Sequence, residues 1–199
     1  LALVYDSGLA GPTVMIRAEL DALPIEETGQ PDWRSGVPGK GHLCGHDGHM
    51  TILAGLAQDL AQRRPAQGRA VLLVQPAEED GSGAAAVTAD PAFAAIRPDW
   101  AFAIHNLPGV PFGQARLAPG VVNCASQGLK ITLQGKTAHA SLPETGTSPA
   151  AALSRLIPAL TALGQGGALA PGYRLVTVTH ARLGAPAFGI APGEAELWV

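Results

Sequence analysis

Three apolar runs in the first half of the chain each end in side chains that bind protons or cations. Residues 14–20 run into Asp21 and Pro24, residues 69–75 close at Pro76 and lead to Glu78 and Glu79, and residues 99–104 run into His105 and Asn106. Short apolar runs bounded by turn residues predict buried strands. Unrelated strand ends converge in space when the sheet is parallel and helices cover its faces, and open α/β sheets do their chemistry at the carboxyl ends of the strands. Between the first two runs, Ile52, Leu53, Leu56, Ala57 and Leu60 fall at helical spacing and predict an amphipathic helix over residues 51–62, after a loop rich in Gly and His. The expected class is α/β, with a mostly parallel sheet and helices on both faces.

From about residue 125 the pattern changes. A strand over residues 129–133, a Gly-rich turn holding His139, a helix over 148–163, a Gly/Ala/Pro loop over 164–172 and strands over 174–182 and 194–199 predict a small α+β domain. The expected division is residues 1–124 and 125–199. The 25 Gly and 17 Pro suit many short elements with tight connections, and 47% hydrophobic against 15% charged residues suits a buried core. A net charge of -3 without any long Lys/Arg run speaks against a nucleic-acid surface, so small neutral or acidic partners are expected.

No apolar stretch approaches the roughly 20 residues of a membrane span. Residues 1–4 lack the basic region and cleavage site of a signal peptide. The two cysteines, Cys44 and Cys124, lie far apart in different contexts, which predicts no disulfide framework and a reducing, cytoplasmic compartment; Cys124 is expected to pack as a small apolar residue. The chain begins without Met and closes on a β-like run, so further sequence is expected at both ends.

His42-Leu43-Cys44-Gly45-His46-Asp47-Gly48-His49 puts one Cys, three His and one Asp within eight positions, with glycines that let the backbone bend tightly. Thiolate and imidazole are the usual ligands of zinc-like cations, and a neighbouring carboxylate can fix an imidazole tautomer. Glu78-Glu79 offers two carboxylates, one able to bind a cation while the other serves as general base, although such a pair on its own is commonly a solvated surface patch. His105 alone would be an ordinary partly buried histidine. Asp21 reads equally as a turn-former before Pro24 or as an orienting partner of a metal ligand.

The strings Ile16-Arg17-Ala18-Glu19-Leu20-Asp21-Ala22-Leu23-Pro24-Ile25, Cys44-Gly45-His46-Asp47-Gly48-His49, Gln75-Pro76-Ala77-Glu78-Glu79, Ile104-His105-Asn106 and Gly135-Lys136-Thr137-Ala138-His139-Ala140 occur in order along nearly the whole chain. On these motifs the chain resembles the metallopeptidase M20 superfamily, in its aminoacylase-like branch of hippurate hydrolases, N-acyl-amino-acid amidohydrolases and auxin-conjugate (IAA-amino acid) hydrolases. The resemblance implies Cys44, His46, Glu79 and His105 as metal ligands, Glu78 as catalytic base and Asp21 as orienting residue. It implies that His139 reaches the active site of a neighbouring subunit, against the alternative of a capping residue in a turn. It further implies two divalent cations (Zn, Mn, Co or Ni), hydrolysis of the amide bond of an N-acyl amino acid, and a ferredoxin-like lid domain through which a homodimer forms, with both domains incomplete.

Two departures stand against that pattern. Nothing after His105 fits the further metal-binding His that the family carries, since His139 and His180 both fall in the small domain. Gly189 stands where the family has a substrate-contacting Asn. Glu19 replaces a commoner Asp and keeps its charge. A dipeptidase or carboxypeptidase of the same superfamily, and a non-catalytic binding or dimerisation relic of the fold, therefore stay open beside the amidohydrolase.

Overall fold

The computed structural model describes residues 1–117, 119–164, 166–167 and 170–199; of the expected loop over 164–172, Gln165, Ala168 and Leu169 lie outside the described residues. The chain divides into two compact units, Leu1–Gly120 and Val121–Val199.

The first unit holds β1 (Ala2–Asp6), β2 (Thr13–Glu19), α1 (His46–Gln62), β3 (Arg69–Gln75), α2 (Ser82–Ala89), α3 (Phe93–Ile96) and β4 (Trp100–Ala103). Its sheet has the order β1-β3-β2-β4. β2 runs parallel to both β3 and β4, while β1 lies antiparallel along β3. The register pairs Glu19 with Gln75 and Arg17 with Ala103, which brings the carboxyl ends of the three parallel strands to one edge of the sheet.

Strand alternation sorts the apolar side chains onto two faces. Met15, Val71 and Leu73 pack against Val87 of α2 and against Phe93 and Ile96 of α3. Ala18 and Leu72 pack on the other face against Leu53, Leu56, Ala57 and Leu60 of α1. Helices thus cover both faces, and burying a side chain such as Leu72, fully enclosed here, is worth about 1.5–3 kcal/mol.

The local structure departs from expectation at several points. α1 starts at His46 rather than at residue 51, so the His-rich string enters the helix instead of forming a loop. Gly45, at φ 89, makes the left-handed turn that lets the helix begin there. The opening apolar run is an edge strand, β1. α2 is a helix of small residues without an apolar stripe, so periodicity could not reveal it.

The second unit holds β5 (Lys130–Gln134), β6 (Ala138–His139), α4 (Ala150–Thr161), β7 (His180–Leu183), β8 (Ile190–Ala191) and β9 (Glu194–Trp198). An antiparallel sheet of order β5-β9-β7 carries α4 on one face, where Leu153, Ala195 and Leu197 form the core with Ile131, Leu133, Leu156, Ile157 and Leu160. The strand expected over residues 174–182 forms only at His180–Leu183, because the stretch before it bonds elsewhere: the Val176 N–H donates to Gly164 O at 2.9 Å. His139, expected in a turn, is in β6 and pairs with Ile190 of β8. Cys124, expected to pack as an apolar residue, is exposed.

Candidate metal centre

The carboxyl ends of β2, β3 and β4 and the first turn of α1 deliver the site. Asp21 follows β2, Glu78 and Glu79 follow β3, His105 and Asn106 follow β4, and Cys44 immediately precedes the cap of α1. Ala77 has φ 50, an uncommon conformation for a residue with a side chain, and it turns the chain sharply ahead of the two glutamates. A Cβ on Gly83 would fall 1.6 Å from Pro76 O, so only glycine lets α2 close against this turn.

His46 is the centre of the arrangement. It is 1% exposed, and its Nδ1 lies 3.0 Å from the backbone carbonyl of Asp21 and 3.2 Å from Asp21 Oδ1. A carbonyl only accepts, so Nδ1 carries the proton and the Nε2 lone pair is free. That Nε2 is buried with no hydrogen-bond partner among the described residues, and it faces Glu79 Oε1 at 3.7 Å and Glu78 Oε2 at 3.8 Å. His105 repeats the pattern: its Nδ1 donates to Asn106 O at 2.8 Å, and its Nε2 faces Cys44 Sγ at 3.4 Å.

Donor atoms from Cys44, His46 and His105 lie within 4.8 Å of one another, as do those from His46, Glu78 and Glu79. Two donors at 2.0–2.3 Å from one tetrahedral cation stand roughly 3–4 Å apart, so the spacing and the mixed S, N and O chemistry fit a metal. His46 is common to both groups.

The electrostatics point the same way. Burial raises the Cys44 thiol pKa, and the charge and hydrogen bond of Glu79, then the charges of Glu78 and Glu19, raise it further. Negative groups are crowded around a sulfur that would itself become negative, a repulsion that a cation would relieve. Burial disfavours ionised Asp21, but backbone N–H groups of Glu79, Asp21 and Glu78, together with the His46 ring, outweigh it and hold that carboxyl below its ordinary range. The Glu79 N–H donates to Asp21 Oδ2 at 3.0 Å, so Asp21 ties the glutamate loop to His46.

The structure thus brings together six of the sequence-derived residues: Asp21, Cys44, His46, Glu78, Glu79 and His105. His139 belongs to the second unit, where it is exposed with its Nδ1 2.7 Å from Ser141 Oγ. Sequence reasoning passed over the roles of His49, Glu19 and Asn106. His49 is buried with its Nδ1 2.8 Å from Glu19 Oε2, and its Nε2 accepts the Asn106 N–H at 3.0 Å. The available signal was helical spacing, since His46 and His49 fall on one face only once the helix is started at His46.

An α/β sheet gathering thiol, imidazole and carboxylate at its strand ends defines the class: a protein with a candidate metal centre at the carboxyl edge of a mostly parallel sheet. Residues 15–191 match Peptidase family M20/M25/M40, and the chain belongs to that family. It is 36% identical over 187 residues to the IAA-amino acid hydrolase ILR1-like 5 of Arabidopsis thaliana, covering 94% of this chain and 42% of that protein. It is 41% identical over 152 residues to the N-acetyl-L-cysteine deacetylase of Bacillus subtilis (strain 168), covering 75% of this chain and 36% of that protein. A solved structure from Bacillus subtilis, described as a dinuclear metal binding peptidase from M20 family, superposes with a TM-score of 0.64 at 28% identity, covering 99% of this chain and 49% of that one. The chain spans under half the length of these curated relatives. No helix among the described residues is long and apolar enough to cross a membrane.

Proposed function

We propose that the chain carries part of a metal-dependent amidohydrolase that cleaves the amide bond of N-acyl amino acids. The observation that carries the proposal is the buried, unpartnered Nε2 of His46 facing Glu78 and Glu79, with Cys44 and His105 paired beside it. Cys44, His46, Glu79 and His105 would hold two divalent cations of the zinc, manganese, cobalt or nickel kind. When bound, such cations lower the pKa of water and polarise a carbonyl.

Glu78 would act as the base and Glu79 as a metal ligand, the assignment that the family motif implies; both carboxylates face His46 Nε2, at 3.8 and 3.7 Å, and both side chains are part-exposed, at 37% and 31%. The Glu78 carboxylate takes a proton from water as the water oxygen bonds to the acyl carbon. It returns that proton to the amide nitrogen as the C–N bond breaks, leaving a free carboxylic acid and a free amine. Asp21 keeps His46 in the tautomer that directs Nε2 at the site. His139 on β6 would contact substrate from a neighbouring subunit of a homodimer built through the second unit. Two widely separated free cysteines suit a cytoplasmic setting.

The test is metal content, with and without chelator, paired with release of free amino acid from a panel of N-acetyl and N-benzoyl amino acids. Glu78→Gln is expected to lower turnover by about 10²–10⁴-fold with bound metal retained. Activity near wild type in that variant would remove Glu78 as the base. Gly189, whose backbone carbonyl accepts the Ala140 N–H at 3.0 Å and which has no side chain to offer a substrate, favours a second reading as a binding relic of the fold. Metal uptake without any turnover would select it.

A further inference from the structure

Six polar groups cross the floor of the candidate centre in an unbroken chain. Gln75 Oε1, at the end of β3, accepts from Arg17 Nε at 2.9 Å. The Arg17 guanidinium pairs with Glu19 Oε1 on β2. Glu19 Oε2 accepts from His49 Nδ1 of α1 at 2.8 Å. His49 Nε2 accepts the Asn106 N–H after β4 at 3.0 Å, and the Asn106 carbonyl accepts from His105 Nδ1 at 2.8 Å. Glu19 and His49 are 1% and 3% exposed, so the links between them are shielded from water and stronger than their surface equivalents.

Donor atoms of Glu19, His46 and His49 also lie within 4.8 Å of one another, which raises the alternative that His49 is itself a ligand. Its hydrogen bonds decide against that. A carboxylate accepts, so Nδ1 carries the proton; the Asn106 backbone N–H donates to Nε2, and the Asn106 side-chain amide meets the same nitrogen with its Oδ1 position at 3.1 Å, where an amide N–H turned to that side suits the same lone pair. Both carboxylate oxygens of Glu19 are likewise engaged. The neighbour that gains orientation is His105, whose ring centroid is 4.7 Å from that of His49 and whose Nδ1 is bonded to the carbonyl of the residue His49 grips. Asn106 also packs closely against Gly45, the residue between Cys44 and His46: a Cβ there would fall 2.6 Å from Asn106 Oδ1.

We propose that His49, held by Glu19, is a positioning residue that fixes Asn106 and through it aims His105 and the Cys44-Gly45-His46 turn at the metal. The inference rests on the metal-centre reading above. Its test is cobalt(II) titration of the full chain and of two variants, following the thiolate-to-cobalt absorption, together with the thermal midpoint of each metal-free protein. His49→Leu removes both hydrogen bonds and is expected to weaken cobalt(II) binding 10- to 100-fold, the range for loss of an orienting partner. His49→Gln presents an amide N–H to Glu19 and an amide oxygen to Asn106, and is expected to recover most of that loss.

Wild-type affinity in His49→Leu would overturn the proposal, as would His49→Gln losing a cobalt equivalent outright, the result for a ligand. Losses that track the thermal midpoints of both variants would also overturn it, because packing alone would then account for them. A wild-type chain that takes up no cobalt(II) would instead overturn the metal-centre reading itself. Should His49→Leu not fold, long-range ¹H–¹⁵N spectra of the metal-free wild type decide the hydrogen bonding: a proton on His49 Nδ1 is expected, and a proton on Nε2 would refute it.

Discussion

The two units treat histidine in opposite ways. In the first, His46 and His49 are buried at the sheet edge and every ring nitrogen has a defined role, with a proton directed to Asp21 or Glu19 and a lone pair directed to the open site or to Asn106. In the second, His139 is exposed beside Ser141, and His180 lies on the exposed sheet face with its ring 5.4 Å from Trp198. Burying an imidazole with an unsatisfied nitrogen costs free energy, on the order of 1–3 kcal/mol, and a fold keeps such a group only where something else compensates. The contrast separates the two buried histidines of the site from the two exposed ones of the second unit; His105, which is exposed like the latter, is set apart by its partners, Asn106 and Cys44.

The largest effect that could break this contrast is loss of the shared donor. His46 belongs to both metal-type groups, so His46→Ala is expected to lower metal affinity by more than about 100-fold, beyond the roughly 10–100-fold that loss of an orienting partner costs. His180→Ala, on the surface, is expected to leave it unchanged. Equilibrium dialysis with metal analysis measures both, and equal losses in the two variants would erase the distinction.

Much of this was visible in residue order. The β3 boundaries at Arg69 and Gln75 and the delivery of Glu78, Glu79 and His105 from strand ends followed from apolar runs that stop at turn residues. What stayed hidden was nonlocal or aperiodic. The start of α1 depends on the left-handed Gly45, and four polar and small residues there read as loop. The Glu19–His49 pair joins positions thirty residues apart, and nothing local to either residue names the other. The unformed first part of the strand expected over 174–182 had the composition of a strand, but its Val176 found a partner in Gly164. Pattern reports what a segment prefers, and packing decides what it pairs with.

The middle-sized effect asks whether the second unit's core stands apart from the site. Leu197 is fully buried, and among the described residues its cluster draws on the second unit alone. Leu197→Ala is expected to cost about 2–5 kcal/mol in chemical denaturation. Metal stoichiometry well below the unfolding transition is expected to stay at the wild-type value. Loss of metal in the folded variant would show that the candidate centre depends on the second unit's packing, and the histidine contrast would then no longer divide along the unit boundary.

The smallest effect tests the surface side of the comparison. Glu196 on β9 meets Lys130 Nζ at 2.7 Å and accepts from Trp198 Nε1 at 2.8 Å. The hydrogen bond from Lys130 is the main cause that holds this carboxyl below its ordinary range; slight desolvation opposes it, while Trp198 and the charges of Lys130 and Arg182 assist. A depressed folded-state pKa means that ionised Glu196 contributes its stability in full above the ordinary glutamate value of about 4.3 and loses it as pH falls through the lower folded-state value. Glu196→Gln should therefore be slightly less stable than wild type at pH 7, and the two should converge near pH 2, with the gap at pH 7 narrowed by 1 M salt. A gap that persists at acid pH would mean that the glutamate acts through packing rather than charge, which would make this surface cluster more like the buried network than its exposure implies.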